Sequence, residues 1–348
     1  MLLTCSAARP PARLNTSLEG LRPSGSPTRA LARRFDGSLR SRGSLAPQLS
    51  NAEIYGDRSL LSAQFTGIAV APSCGMKSVE IPESAIVALD SIAPDILGLR
   101  VLFVNVFAVS TGSGWTLVDA ALYGSAGRIQ RWAREHFGDT QPDAIILTHA
   151  HFDHVGALDS LLGEWNVPVY AHRDELPYAT GERAYPPPDP SVGGGMMARM
   201  SSLYPRHPID VSGYVRELPA DGRVPSLPGW RWIHTPGHAA GHISLFRDAD
   251  RTLLVGDAFC TTRQESFFAV ATQRPELHGP PSYFTTDWDA ARRSVETLAA
   301  LQPAIIVPAH GQPMTGAAAT EALGELAARF DEVARPPHGK YVEHPVRG

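Results

Sequence analysis

The sequence predicts an α/β protein, and three observations lead there. Short apolar or alternating segments that read as strands are interleaved with segments carrying apolar residues at helical spacing. Four separate strand segments end in a His or an Asp, so the elements deliver chemically active side chains as well as a core. No segment repeats at the period of about 20–50 residues that marks a solenoid or propeller.

The first 50 residues stand apart. They hold eight Arg and no Lys against Glu19 and Asp36, are rich in Ser, Pro and Ala, and show no apolar period. Such a stretch buries too little surface to offset the entropy of ordering. Residues 1–75 are therefore expected to be a disordered or non-native extension. A transit peptide, a disordered tail and translation starting at Met76 are the open readings, and we adopt the last because clear strand signals begin only after Met76. A secretory signal does not fit. Met1-Leu2-Leu3 is too short for an apolar core, and Arg33-Arg34 has no apolar run behind it.

The main domain is expected over 76–335. Leu102 to Val109 reads as a strand and Trp115 to Asp119 as its partner, with Gly112-Ser113-Gly114 as the turn. Asp119 ends that strand; taken alone it reads as a turn or cap carboxylate. Ser125 to Phe137 places Ile129, Trp132, Ala133 and Phe137 on one helical face, and Gly138 stops it. Ala144 to Thr148 is a short apolar strand, Val155 to Leu162 a helix with Leu158, Leu161 and Leu162 inward, and Val167 to Ala171 another strand.

Residues 172–228 break the pattern with Pro186-Pro187-Pro188, Pro190 and Gly193-Gly194-Gly195 followed by Met196, Met197 and Met200. A weakly periodic stretch of this length inside a domain points to a cover over a site, so it is expected to be a lid or substrate-facing insertion. The plainer reading is a solvated excursion, with Tyr178, Tyr185 and Tyr204 tying it down. Trp230 to His234 is a strand, and Ile243 to Phe246 pairs with Thr252 to Val255 over Asp248-Ala249-Asp250. Trp288 to Leu301 is a helix with Thr286 and Asp289 as a capping box. Ala304 to Val307 is a strand, and Glu321 to Val333 a helix with Leu323, Leu326, Phe330 and Val333 inward. Residues 336–348 are expected to be a loose tail.

The net charge of -4 is uneven: the first 50 residues carry +6, so the remainder sits near -10. An acidic body argues against a nucleic-acid surface. No apolar run reaches the ~18 residues of a membrane span. The three cysteines, Cys5, Cys74 and Cys260, form no C-x-x-C pair, which suggests a reducing compartment. A cytoplasmic protein is expected, or an organellar one if the leader is a transit peptide.

The chain's most informative stretch is Thr148-His149-Ala150-His151-Phe152-Asp153-His154. His149 and His151 point the same way in an extended segment. Asp153 and His154 diverge from each other, so the cluster can face two neighbouring points. Imidazole nitrogen and carboxylate oxygen together suit a cation such as zinc. His238 and His310 each follow a strand in a Gly-containing turn. His234 and His242 compete with His238, and spacing alone leaves all three open. His242 is a candidate to hold a ligand in place; His172, with Glu175 nearby, could do the same but reads better as structural. Cys260 reads as a small buried residue.

His149-x-His151-x-Asp153-His154, Pro236-Gly237-His238, Gly256-Asp257 and Ala309-His310-Gly311 together resemble the successive motifs of the metallo-β-lactamase superfamily, with Asp119 in the place of its first motif. The resemblance covers roughly residues 100 to 312. It implies an αββα sandwich, two mixed β-sheets flanked by helices. It implies one metal on His149, His151 and His238, a second on Asp153, His154 and His310, and Asp257 bridging them. The expected cofactor is a pair of divalent ions, zinc foremost, with iron or manganese as alternatives.

An Asp at 257, where true β-lactamases tend to have Cys or Ser, resembles the hydrolase branches such as glyoxalase II and the lactonases. After His310 only a short helix and tail are expected, rather than the larger helical substrate domain of glyoxalase II. The expected function is a metallo-hydrolase in which a hydroxide shared by the two ions attacks an ester, thioester or lactone carbonyl of a small molecule. Asp153 and Asp257 are its candidate catalytic carboxylates. Alternatives are an iron-dependent oxidoreductase of the same fold, akin to persulfide dioxygenases, and a non-catalytic scaffold, against which the intact seven-ligand set argues.

Overall fold

The computed structural model describes residues 81, 85–206 and 208–346. Every described residue belongs to the unit that spans 55–348. The extension expected over 1–75, the start at Met76, and Cys5 and Cys74 lie outside the described residues.

The larger sheet has seven strands in sequential order. Strands β1 (Ile86–Ala93), β2 (Ile96–Val101), β3 (Val104–Ser110) and β4 (Trp115–Val118) form an antiparallel meander. Strands β5 (Ala144–Ile146), β6 (Val169–Ala171) and β7 (Val215–Glu217) then add in parallel. The smaller sheet holds β8 (Trp230–His234), β9 (Ile243–Arg247), β10 (Thr252–Gly256), β11 (Ile305–Pro308) and β12 (Met314–Thr315), in the order β12-β11-β10-β9-β8. Only β10 and β11 pair in parallel there.

Alternation along the strands builds the layers. In β3, Val104, Val106 and Ala108 face one core while Phe107 and Val109 face another. The second of these cores lies between the sheets, where Phe107, Val118 and Ile146 meet Ile243, Leu245, Leu254 and Val307. On the outer face of the larger sheet lie α1 (Ala126–Phe137), α2 (Phe152–Val155) and α3 (Leu158–Glu164). Helix α1 buries Ile129, Trp132 and Ala133, and α3 buries Leu158, Leu161 and Leu162. Farther along are α4 (Leu176–Ala179), α5 (Met196–Met200) and α6 (Phe267–Thr272). On the smaller sheet α7 (Trp288–Ala300) and α8 (Ala317–Ala328) pack Trp288, Val295, Leu298, Leu323 and Leu326 against Phe246, Leu253, Val255 and Ile306. The architecture is the expected αββα sandwich. Among the described residues no helix is long and apolar enough to cross a membrane.

Several expectations need correction. The strand expected over Leu102–Val109 begins at Val104, because the chain reverses at Leu102, whose φ is 59°. The preceding β1 and β2 were not foreseen. The helix expected over Val155–Leu162 is two pieces. They part at Gly156, where a Cβ would stand 2.2 Å from the Tyr123 amide nitrogen. The cap of α7 is Asp287, whose carboxylate accepts from the Ala290 N–H at 2.9 Å, rather than Thr286. The last long helix is α8, followed after Arg329 by α9 (Phe330–Val333). Val333 is exposed, not inward. The expected loose tail includes α10 (Lys340–Glu343), anchored by a buried Tyr341 whose hydroxyl donates to the Pro187 carbonyl at 2.5 Å.

Directionality sets up the site. Strands β4 and β5 run parallel, as do β10 and β11, and β8 shares their sense through its antiparallel partner β9. The Ile243 N–H donates to the Thr148 carbonyl at 2.9 Å and the Asn105 N–H to the Ala309 carbonyl at 2.8 Å, so the two sheets are stitched together at this edge.

Candidate metal centre

Seven side chains gather at the strand ends, all of them buried: His149, His151, Asp153, His154, His238, Asp257 and His310. They fall into two principal donor sets. His149 Nε2 lies 3.0 Å from His151 Nδ1, which lies 2.9 Å from His238 Nε2. The second set joins Asp153, His154 and His310. Asp257 stands between them, its Oδ2 3.4 Å from His238 Nε2 and 3.3 Å from His310 Nε2, its Oδ1 3.6 Å from His154 Nε2.

His154 and His310 are each aimed by what the other ring nitrogen meets. Asp119, with φ 63°, accepts from the Thr148 N–H and hydroxyl at 2.8 Å each, and from His154 Nδ1 at 2.9 Å. That leaves His154 Nε2 facing the centre. His310 Nδ1 donates to the Phe103 carbonyl at 2.8 Å, turning its Nε2 inward. The turn carrying His310 is braced from below: Arg100 donates to Asn105 Oδ1 and to the Gly311 carbonyl at 3.0 Å, and Asn105 Nδ2 donates to the Pro308 and Gly311 carbonyls at 3.0 and 2.9 Å.

The competition around His238 is resolved by geometry. His242 does not join the donor sets: its Nε2 accepts the Asp257 N–H at 2.8 Å and its Nδ1 meets Thr235 Oγ1 at 2.9 Å. It holds Asp257 by the backbone. Gly256 allows this contact, since a Cβ there would sit 2.5 Å from His242 Nε2. His234 is exposed, and its Nε2 donates to the Ala240 carbonyl at 2.8 Å. Its ring stacks on His172 at 4.2 Å and 11°. His172, Asp174 and His234 are close enough to suggest another cation site. However, nearly parallel imidazoles have no common in-plane point for their lone pairs to meet.

Burial and the neighbouring imidazoles hold His149 and His151 well below the usual imidazole value, and burial brings His238 to about 4. These three are neutral and so able to donate lone pairs. Burial also opposes charge on His154, but Asp119 and Asp257 outweigh it and raise its pKa well above the ordinary range. Asp257 is lowered well below the carboxylate range, because His310 and His154 overcome its burial. Asp153 is raised by its burial.

The Metallo-beta-lactamase superfamily model matches residues 99–310. The chain belongs to this superfamily. Probable metallo-hydrolase YflN of Bacillus subtilis (strain 168) is 47% identical to it over 245 residues, 69% of this chain and 93% of that protein. Probable metallo-hydrolase YybB of the same organism is 30% identical over 187 residues, 51% of this chain and 72% of that one. Among solved structures, TTHA1623 in a di-iron-bound form aligns with a TM-score of 0.44 at 27% identity, covering 67% of this chain and 96% of that chain.

The residues fit the divalent cations that the superfamily implies. Three neutral ring nitrogens at 2.9–3.0 Å successive spacing are near the edge of about 3.3 Å in a tetrahedron of nitrogens around zinc. His154 Nε2 and Asp257 Oδ1 are buried with no hydrogen-bond partner. Unsatisfied groups of this kind are costly in an interior and are explained by an ion between them. Sequence reasoning treated Glu175 as a neighbour of His172. The structure makes it a bracket instead: buried, it accepts from the Ala150 and Gly241 amides and from the Tyr185 hydroxyl. In sequence it sits in Arg173-Asp174-Glu175, which resembles any solvated charged turn, so no local signal singled it out.

Proposed function

We propose that this metallo-hydrolase cleaves a small-molecule ester, thioester or lactone with two divalent cations, one on His149, His151 and His238 and the other on Asp153, His154 and His310. The observation that carries the reading is Asp257, whose single carboxylate reaches within 3.3–3.6 Å of ring nitrogens from both sets. Zinc is the first expectation. When bound, such ions lower the pKa of water toward ~7 and polarise a carbonyl oxygen.

The chain's own residues supply the rest. Asp257 links the two sets and contributes negative charge between them. Asp153 Oδ2 lies 3.5 Å from His310 Nε2 while its Oδ1 stands 4.0 Å from His154 Nε2, so Oδ1 is the freer oxygen to take the proton of an attacking water. The same oxygen can then return that proton to the leaving group. Tyr185 and Phe284 pack on the His151 ring at 4.2 and 4.7 Å and Phe152 lies against Phe284, so the wall beside the first set is aromatic and keeps bulk water away.

Elemental analysis of the purified chain, combined with a panel of esters, thioesters, lactones and phosphodiesters, tests this. His151→Ala should lose metal and turnover together, and Asp257→Ala should leave two ions that no longer bind cooperatively. Full esterase turnover by His151→Ala protein without metal would defeat the scheme. Bound iron with oxygen uptake and no ester cleavage would also defeat it.

A further inference from the structure

We propose that Glu175 is the positioning residue of the first donor set: its carboxylate fixes the distance between the loop carrying His149 and His151 and the loop carrying His238. This rests on reading that set as a cation site. Glu175 lies in the turn after β6 and is fully buried. Its Oε2 accepts from the Ala150 N–H at 2.9 Å, the amide between the two histidines, and from the Tyr185 hydroxyl. Its Oε1 accepts from the Gly241 N–H at 2.9 Å, three residues past His238.

The two amides belong to loops from different sheets, one following β5 and the other joining β8 to β9. One rigid, planar group therefore spans the gap between the sheets at the level of the donor atoms. Gly241 is what lets the second loop come this near. A Cβ there would stand 2.8 Å from Glu175 Cγ and 2.9 Å from its Oε1. Tyr185 completes the bracket: its hydroxyl meets Glu175, its ring lies 4.2 Å from His151, and its other face stacks on Tyr178 at 3.9 Å and 7°.

A buried carboxylate costs several kcal/mol unless its lone pairs are engaged. Here two amides and a phenol engage them, and each of those groups adjoins a donor imidazole in sequence or in space. A carboxylate serving only the fold would have no reason to join these two loops. The chemistry also makes substitution informative. A glutamine has one accepting oxygen and an NH2 group, so it cannot accept from both amides. An aspartate keeps the charge but is one methylene too short to reach both loops.

The test measures cation binding rather than turnover. Zinc and cobalt affinities are read by chelator competition, with ion content from elemental analysis and cobalt coordination from its visible spectrum. Glu175→Gln should fold, hold one ion with wild-type affinity, and bind the other roughly 10- to 100-fold more weakly. In a His310→Ala background, where only the first set is complete, the same substitution should give the same loss. Glu175→Asp should also weaken the first ion, and it decides the matter if the glutamine variant is insoluble. Tyr185→Phe removes the hydroxyl that donates to Glu175 and accepts from the Ala150 N–H at 3.0 Å but keeps the carboxylate on both loops, so it should weaken the first ion clearly less than Glu175→Gln does.

Unchanged affinities in the Glu175 variants would overturn the positioning role and leave the metal reading standing. A Tyr185→Phe loss as large as that of Glu175→Gln would overturn it in favour of the Tyr185 hydroxyl, which itself accepts from the Ala150 N–H. A wild-type chain that takes up no divalent ion would overturn both this inference and the metal reading.

Discussion

Asp119 shows how much one residue can carry. Its carboxylate holds the amide and hydroxyl of Thr148 and Nδ1 of His154. Asp119→Ala leaves buried donors unpaired and frees the His154 ring. Urea denaturation should show a loss of at least about 2 kcal/mol, and turnover should fall roughly 10- to 100-fold. His172 offers a test away from the centre. Burial and the adjacent His234 lower its pKa below the ordinary imidazole value, against the pull of Asp174. The unfolded chain therefore binds more protons just below about pH 6.5. Stability from this group is fully present above that pH and is lost as the pH falls toward the lowered folded value. His172→Gln should flatten the drop in denaturation midpoint between about pH 7.5 and 5.5; an unaltered slope would show that the stack is not the source.

At the scale of elements, the loop from β8 to β9 depends on how closely it meets α7. Gly237 has φ 132°, and a Cβ on it would lie 2.3 Å from the Ala291 backbone nitrogen. Gly237→Ala should therefore shift His238, lowering turnover at least tenfold with a smaller change in melting temperature. Equal activity in the alanine variant would mean that the loop tolerates the displacement. Elements with a strong local pattern were legible in the sequence: α1 from Ile129, Trp132 and Ala133, and β8 to its last residue. The reversal at Leu102 was not, because it places a leucine at positive φ with neither Gly nor Pro to mark it. Nor was the break at Gly156, since a lone glycine in a helical pattern usually marks nothing, and here the approach of Tyr123 decides. The donor cluster was legible because six consecutive residues hold most of it. Choosing His238 over His234 and His242 needed either the family pattern or the fold. The bonds of Glu175 are entirely long-range, and no pattern along the chain announces them.

For the whole molecule, loops from both sheets meet at one edge, so bound cations should act as staples across the sandwich. Stripping them with a chelator should lower the melting temperature by about 5–10 °C, as expected for ions present at about a hundredfold over their dissociation constants. Calorimetry with and without added zinc checks this, and a chelator-insensitive transition would show that the sheets do not need the ions. The position of His310, in the turn after β11, has a further consequence for biosynthesis. On a chain emerging from the ribosome, all donors of the proposed first set are synthesised once His238 is out, but the loop that carries His238 is braced only when α7 follows. A nascent chain stalled between α7 and β11 would then offer the first of the proposed cation sites without the second.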